Sequence, residues 1–480
     1  MTTERDDGMA VAERARERLF AAEIAAALAA PMRADEAGDG RSSSLFGQWL
    51  LAALMLLGVA VAVGVGWLRA DASREAQQPE AFDPVYPRLQ EDMPHVPGIV
   101  GVEDLAALAA LPPHVDAIAA RASSPILEAL AGRRGLRLLS IGTGPDGSDP
   151  EPTAAALRAI AAIPELEALH LLTTRSPTAE ALRELRVAPK LRTLALGGDG
   201  SVPLDRGLAE AIAELPRLQQ LFLSRVPLTA AGVRGLAALP DLELLYVDRT
   251  AYDDEVFAAF GSLRRLRGLT LWDLGDGGGK PGTLTTARVR SLGAVPRLVE
   301  LTLSGFYCDE AALAALPTTL HSLRLVNVPG TTAAGLRQLV RLPLLRSLHY
   351  DYLNNPEVQV ALAEVVKTAP IEQLLMPGTP LTEPLWQALQ AQPRLRSLHL
   401  PLGWDFDAVA AQLVRLPRLE RLFLSYLSLP EQAESLRLTE LPQLRRLDLV
   451  YDGPLKNARA ADLTLRLKEL LGDRVVIRAR

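Results

Sequence analysis

A short pattern, L-x-x-L-x-L, recurs along most of this chain and restricts its fold more than any other feature. Clear copies are PRLQQLFL, PRLVELTL and PRLERLFL, each introduced by a proline. Neighbouring copies are often about 24 residues apart. This regularity predicts a repeat array in which each unit adds one short strand and stacks on the next. The first apolar positions of the copies are Leu136, Leu166, Leu191, Leu218, Leu242, Leu266, Leu298, Leu320, Leu345, Ile371, Leu395, Leu419 and Leu444.

The repeats resemble those of bacterial leucine-rich-repeat proteins, and the resemblance covers roughly residues 100–480. In that family each unit contains a strand on the concave face, a turn, and a convex-side element that returns the chain. The resemblance therefore implies an α/β solenoid, a leucine-rich-repeat horseshoe with a parallel concave sheet and convex helices. Residues 115–120 fit a degenerate first copy, and residues 475–477 fit a closing strand.

The return segments are expected to be helical. The stretches that begin at Thr229 and Thr332 align without gaps, and each reads T-A-A-G before an apolar residue. A threonine in this place can cap a helix, and apolar residues three apart then face the strands.

One position departs from the family. Where relatives often carry an asparagine that bonds the backbone in a ladder, this chain has apolar residues, which should fill the inward corner instead. They include Val226, Leu274, Phe306, Val328, Leu353 and Leu427.

An uncharged apolar run at residues 45–68 predicts a single transmembrane helix. A helix of that length spans about 36 Å, enough for a hydrocarbon core of about 30 Å. Trp49 and Trp67 lie near its two ends, where indole rings favour the membrane interface. A cleaved signal peptide is the alternative, because Ala70-Asp71-Ala72 resembles a cleavage site. The long run and the preceding residues favour an uncleaved anchor.

The anchor divides the chain into four predicted parts. Residues 1–44 form a polar tail, 45–68 the transmembrane helix, 69–98 a proline-rich linker and 99–480 the leucine-rich-repeat domain. Arginines lie on both flanks of the helix, so the positive-inside rule is close to a tie. The short tail and large C-terminal domain favour a cytoplasmic tail with the solenoid outside the cytoplasm.

Composition argues against several kinds of function. The chain is 49% hydrophobic but only 5% aromatic, and its net charge of −6 gives no reason to expect a nucleic-acid partner. The single cysteine excludes an intramolecular disulfide. No motif supplies a nucleophile, a general base or a cofactor loop. We therefore expect a binding protein without enzymatic activity or cofactor.

Three features could be mistaken for chemistry. The segment GDGGGKPG at residues 275–282 lacks the GK[ST] ending of a phosphate loop and fits an inserted surface loop. His349 and His399 occupy equivalent strand positions two repeats apart, about 10 Å between backbones, too far for unaided shared metal ligation. Cys308 has no motif around it. We expect no metal site and no thiol nucleophile.

Alternation along each strand locates the candidate site. Because the leucines of L-x-x-L-x-L point inward, the residue between the last two leucines must face the concave surface. This position carries several large side chains, and interface anchors are often aromatic residues and arginine. The position two residues further on shares this face and adds Trp272 and Asp351. The predicted ligand-binding residues are Phe222, Tyr246, Trp272, Arg324, His349, Asp351, His399 and Phe423.

Two patches stand out within this set. Phe222, Tyr246 and Trp272 form the first, which we predict to anchor the ligand, and His349, His399 and Phe423 form the second. The alternative is that Phe222 and Tyr246 only cover one another or lie beneath a crossing loop. The function predicted is a membrane-anchored module that binds a protein ligand through its concave face. A structural or adhesive scaffold built by weak self-association is the other candidate.

Overall fold

The computed structural model describes residues 100–479, except for 103, 113–114, 122–123, 132, 143–151, 173–174, 251, 274–281, 352–354, 377–380, 402–405, 417, 426–436 and 451–457. The predicted tail, transmembrane helix and linker therefore lie outside the described residues. Within the described part, no helix combines the length and the apolar character needed to cross a membrane.

A parallel sheet of 16 strands runs through the described residues, and its strands follow one another in chain order. The strands are β1 Val100–Val102, β2 Ala117–Arg121, β3 Leu138–Gly142, β4 Ala168–Leu172, β5 Thr193–Gly197, β6 Gln220–Ser224, β7 Leu244–Asp248, β8 Gly268–Trp272, β10 Glu300–Ser304, β12 Ser322–Val326, β13 Ser347–Tyr350, β14 Gln373–Leu375, β15 Ser397–Pro401, β16 Arg421–Ser425, β17 Arg446–Val450 and β18 Val476–Ala479. Each repeat of the sequence supplies one strand. This confirms the predicted solenoid and its closing strand. The copy at residues 115–120 supplies β2 rather than the first strand, because β1 precedes it, and the sequence pattern did not predict β1.

Two further strands form a small separate sheet. They are β9 Thr283–Leu284 and β11 Tyr307–Cys308, which pair in parallel. Nothing in the L-x-x-L-x-L pattern predicted them, because they belong to the return segments rather than to the repeat strands.

Helices return the chain between most strands. They are α1 Leu105–Ala110, α2 Ser124–Ala129, α3 Ala154–Ala161, α4 Ala179–Arg183, α5 Arg206–Ala213, α6 Ala230–Gly235, α7 Asp254–Phe260, α8 Thr286–Leu292, α9 Glu310–Ala314, α10 Ala333–Arg337, α11 Pro356–Thr368, α12 Glu383–Ala391, α13 Phe406–Leu413 and α14 Ala458–Leu471. Short 3-10 turns extend several of them.

Threonine caps begin the two return helices for which they were predicted, α6 and α10. The side chain of Thr229 accepts a hydrogen bond from the Gly232 amide at 3.0 Å, and Thr332 accepts one from Gly335 at 3.1 Å. A side chain at position 232 would collide with the carbonyl of Leu204, which explains why the T-A-A-G stretch needs its glycine there.

The core lies between the sheet and the helices. Leu221 and Leu223 of β6 are fully buried, as are the equivalent leucines of neighbouring strands. Burial of one such side chain stabilises the fold by about 1.5–3 kcal/mol. Val226, Phe306 and Val328 are buried in the corner after their strands, as expected, whereas Leu274, Leu353 and Leu427 lie outside the described residues.

The residue directly before a strand is often charged, and in several neighbouring repeats an arginine alternates with a glutamate at this position. Arg137 pairs with Glu167 at 2.9 Å, and Arg396 pairs with Glu420 at 3.0 Å. The backbone of this position is also bonded from one repeat to the next. The backbone amide of Glu167, for example, donates a hydrogen bond to the backbone carbonyl of Arg137, one repeat earlier, at 2.8 Å. These charged residues thus follow the register of the sheet along its edge.

Candidate functional site

The side of the sheet that faces away from the helices, which we call the open face, carries the predicted site residues. Strands pair in constant register, so equivalent residues of successive repeats form straight rows across this face. One such row pairs Phe222 with Tyr246 and Tyr246 with Thr270, and Arg324 with His349 further along. Leu375 then pairs with both His349 and His399, and His399 pairs with Phe423.

The aromatic patch, Phe222, Tyr246 and Trp272, forms one continuous cluster. The rings of Phe222 and Tyr246 lie 5.6 Å apart between centroids, and those of Tyr246 and Trp272 lie 6.5 Å apart in an edge-to-face arrangement. Both distances fall within the range of favourable aromatic contacts. The predicted first patch therefore exists as a physical unit.

The three rings are half-buried. Leu244 lies beneath Phe222 and Tyr246 with only 1% of its surface exposed, and Val299 packs against the same group. The rings cover this leucine and each other, so part of their area serves the structure. The Nε1 atom of Trp272 is buried without a hydrogen-bond partner in the described part of the chain.

Charged residues border the aromatic patch. Arg225 and Arg249 follow β6 and β7 in the left-handed region, with φ values of 54° and 51°, which an arginine rarely adopts. The backbone amide of Arg225 donates a hydrogen bond to the backbone carbonyl of Asp248 at 3.1 Å. The backbone amide of Arg249 donates one to the backbone carbonyl of Trp272 at 2.9 Å. Burial raises the pKa of the Asp248 carboxyl, against the opposing effects of Ser224 and the two arginines.

The histidine patch, here His349, His399 and Phe423 with their neighbours Arg324 and Asp351, lies at the other end of the row. His349 is 9% exposed, and the other four side chains are half-buried. The rings of His399 and Phe423 are 4.1 Å apart. Thr270 and Thr302 separate this group from Tyr246, so the open face carries two distinct patches.

Burial keeps both imidazoles neutral. It holds the pKa of His349 well below its usual range, and the nearby charges of Arg324 and His399 lower that pKa further. Burial, with a smaller effect of Arg324, lowers the pKa of His399 to about 3. Asp351 uses its Oδ1 to accept the Asn327 amide at 2.7 Å, and burial raises the pKa of this carboxyl.

Within the described part of the chain, the ring of His349 has no hydrogen-bond partner. Neither its Nδ1 nor its Nε2 has a hydrogen-bond partner among the described residues, and both atoms are buried. The Nε atom of Arg324, on the adjacent strand, is also buried and has no hydrogen-bond partner among the described residues. Three buried polar atoms therefore lie unpaired in one part of the open face.

Cys308 is buried, and burial together with Asp309 raises its pKa to about 12. Such a thiol is protonated at neutral pH, which disfavours nucleophilic attack. The described residues contain no group of three or more His, Cys, Asp or Glu side chains placed to hold a metal ion. Most of the GDGGGKPG segment lies outside the described residues, but the Gly282 amide donates to Asp273 at 2.7 Å.

Sequence reasoning missed four residues of the aromatic patch and its border: Leu244, Arg225, Asp248 and Arg249. Leu244 occupies an outward position of its strand, where the neighbouring strands have glycine and glutamine, so an apolar residue there was a signal of local burial. No comparable signal identifies Asp248, because the arginines whose charges act on its pKa follow two different strands.

No protein-family model matches this chain, and no curated protein matches it either. Among solved structures, it is similar to an internalin from Listeria monocytogenes, at 16% identity and a TM-score of 0.34, over 69% of this chain and 89% of the internalin. It is also similar to the protein in a TLR13–ssRNA13 complex, at 18% identity and a TM-score of 0.37, over 82% of this chain and 63% of that one.

Proposed function

We propose that this protein is a binding module that holds a protein ligand on the open face of its sheet, with the aromatic patch as the anchor. The continuous cluster of Phe222, Tyr246 and Trp272 carries the proposal. Aromatic residues of this kind, half-buried and rigid, supply large contact area at little cost in conformational entropy, and they dominate binding at many protein interfaces.

The unpaired indole nitrogen of Trp272 supports the same conclusion. A buried N–H group without a partner costs free energy, and an acceptor on a ligand would remove that cost. The three rings remain partly exposed although they already cover Leu244. The patch therefore keeps apolar area and one donor for a partner.

Affinity measurements on single variants test the anchor. A ligand captured on the purified repeat domain from native membranes would be purified and titrated against Tyr246→Ala and Trp272→Ala. Each change should weaken binding by at least about 1–2 kcal/mol, at a temperature where all variants remain folded. Arg234 on the helix side is exposed, and Arg234→Ala is the matched control. Normal binding by both aromatic variants with loss in the control would place the site elsewhere.

Self-association is the competing outcome of the same experiment. If the only protein retained is a second copy of this chain, and light scattering shows oligomers that Trp272→Ala dissolves, the open face serves a scaffold. A distinct ligand whose binding depends on the aromatic patch supports the recognition module.

We further propose that residues 45–68 anchor the module in a membrane, with the repeat domain outside the cytoplasm. The uncharged run and its flanking tryptophans support this assignment. The full-length protein should remain in the membrane pellet after carbonate washing, while a chain that begins near Gly98 should be soluble. Release of the full-length protein would exclude an integral anchor.

Reporter fusions test the orientation. Alkaline phosphatase fused after Arg480 should be active in a bacterial host, and a fluorescent protein at the same place should be dark. The opposite result would place the repeat domain and its ligand in the cytoplasm.

A further inference from the structure

The unpaired nitrogens of His349 raise the question of what they bind. A neutral imidazole has one donor and one acceptor nitrogen, and both are buried here without partners among the described residues. Each buried group left unpaired costs on the order of 1–3 kcal/mol. Native proteins keep few such groups, and they often mark a place that a ligand completes.

The surroundings of His349 are basic. Arg324 pairs with it in register and has an unpaired, buried Nε atom, and His399 lies two strands further on. Arg324 and His399 are the charged or titratable groups that act on the pKa of His349, and no described carboxylate acts on it or on His399. Leu375 on the strand between them is apolar, and Asp351 is engaged with the Asn327 amide.

The chemistry of this group selects an anion. The Nε–H of Arg324 and the one N–H of neutral His349 are buried donors without partners among the described residues, so a partner with only acceptor atoms can accept from both. A cation would be repelled by Arg324. A carboxylate carries one negative charge, so it loses less solvation on entering this half-buried site beside Leu375 and Phe423 than a phosphate dianion would.

We propose that Arg324, His349 and His399 form a carboxylate-binding subsite, which takes an acidic side chain of the protein that occupies the open face. The source of the carboxylate rests on the proposed function, whereas the site itself does not. Arg324 and His399 are half-buried and reachable from the open face. Because both ring nitrogens of His349 are buried, a neighbouring side chain must shift to admit the carboxylate, and such side-chain rearrangements are common at interfaces.

Acetate is the probe that separates the site from the ligand. The full chain, in detergent micelles and labelled on its six histidines, would be titrated with acetate at pH 7 and observed by NMR. The signals of His349 and His399 should shift and saturate. His321, whose Nδ1 lies 2.9 Å from the Thr319 carbonyl oxygen, should not move.

Variants define the contacts. Arg324→Gln should weaken acetate binding about tenfold or more, as expected for loss of one charge-assisted hydrogen bond, and Arg324→Lys should recover only part of it because the guanidinium geometry is lost. The variant His349→Leu tests the contribution of the imidazole to acetate binding. If the leucine variant does not fold, His349→Gln is used in its place. Arg234→Gln on the helix side is the control and should bind acetate normally.

Competing anions decide the remaining outcomes. Equal shifts with chloride at the same ionic strength, or tighter binding of phosphate than of acetate, would overturn the proposal. So would normal acetate binding by Arg324→Gln. The aromatic variants Tyr246→Ala and Trp272→Ala should leave acetate binding unchanged, so failure of this subsite and failure of the proposed anchor are distinguishable.

Discussion

The aromatic patch and the histidine patch lie on different strands of the same sheet, in the same register, yet they bury opposite kinds of side chain. In the first, Phe222 and Tyr246 cover Leu244, so burial there removes apolar area from water. In the second, burial encloses the imidazoles of His349 and His399 with Arg324 beside them.

This difference shows that the repeat sets the position of a side chain but not the energetic consequence of that position. The inward leucines supply stability in every repeat, which leaves the outward positions available for other uses. Burial at an outward position therefore stabilises the fold at Leu244 and opposes protonation at His349.

Lowering the pH should reveal the largest difference between the two patches in their contribution to the free energy of unfolding. An unfolded histidine titrates near pH 6.5, whereas the folded pKa of His399 is about 3 and that of His349 is well below normal. The unfolded state therefore binds more protons below pH 6.5, and stability falls as the pH decreases. From pH 6.5 to 4.5 the protonation of His399 in the unfolded state should lower the free energy of unfolding by about 2 kcal/mol, and His349 adds a loss in the same direction.

Urea unfolding followed by circular dichroism at several pH values, in buffers without carboxylates, measures this slope. The double variant His349→Leu/His399→Leu should lose most of that dependence, while His170, whose pKa burial lowers to about 4, keeps a smaller one. Tyr246→Phe in the aromatic patch should leave the slope unchanged. A double variant with the full slope would show that these imidazoles are protonated in the folded protein.

Substitution of Leu244, which lies in the aromatic patch, should have the next largest effect on stability. Leu244→Ala removes a side chain that is 1% exposed and should destabilise the protein by about 2–4 kcal/mol, with partial collapse of the rings. Ser347 occupies the same row beside His349, and Ser347→Ala should change stability by less than about 1 kcal/mol. Equal losses in thermal unfolding would show that the two patches do not differ in apolar burial.

Sequence reasoning located the strands because each one combines inward leucines with period-two alternation, and every predicted repeat position lies two residues before its strand, as Leu218 precedes Gln220. Alternation also placed Phe222, Tyr246 and His349 on one face. It could not give their burial. Burial at an outward position depends on the neighbouring strands, about 24 residues away in sequence, rather than on the residue itself.

The histidine patch shows this limit most clearly. The sequence places His349 beside Arg324 once the register is known, but nothing local indicates that both ring nitrogens are buried and unpaired. The positive φ of Arg225 and Arg249 was equally hidden, because glycine or asparagine is the usual residue for such a turn. Predicting either feature requires the packed side chains of several repeats.

Coupling between rings should be smaller and confined to neighbours. In a double-mutant cycle on the free energy of unfolding, Phe222→Ala and Tyr246→Ala should interact by about 0.5–1.5 kcal/mol, because their rings are 5.6 Å apart. Phe222→Ala and Phe423→Ala belong to different patches and should be additive within about 0.5 kcal/mol. Additivity within the first pair would mean that the rings act independently.

The charged residues directly before the strands should contribute least to stability. Their contribution should be slightly larger beside the histidine patch than beside the aromatic patch. Arg346 and Glu372 lie 3.7 Å apart with side chains that are 32% and 18% exposed, whereas Arg267 and Glu243, beside the aromatic patch, lie 3.9 Å apart and are 40% and 37% exposed. Half-exposed pairs are worth about 0–1 kcal/mol and are screened by salt. Glu372→Gln should therefore cost more stability than Glu243→Gln at low salt, and the difference should disappear near 1 M salt. If both losses persist at high salt, the glutamates act through hydrogen bonds and packing instead of charge.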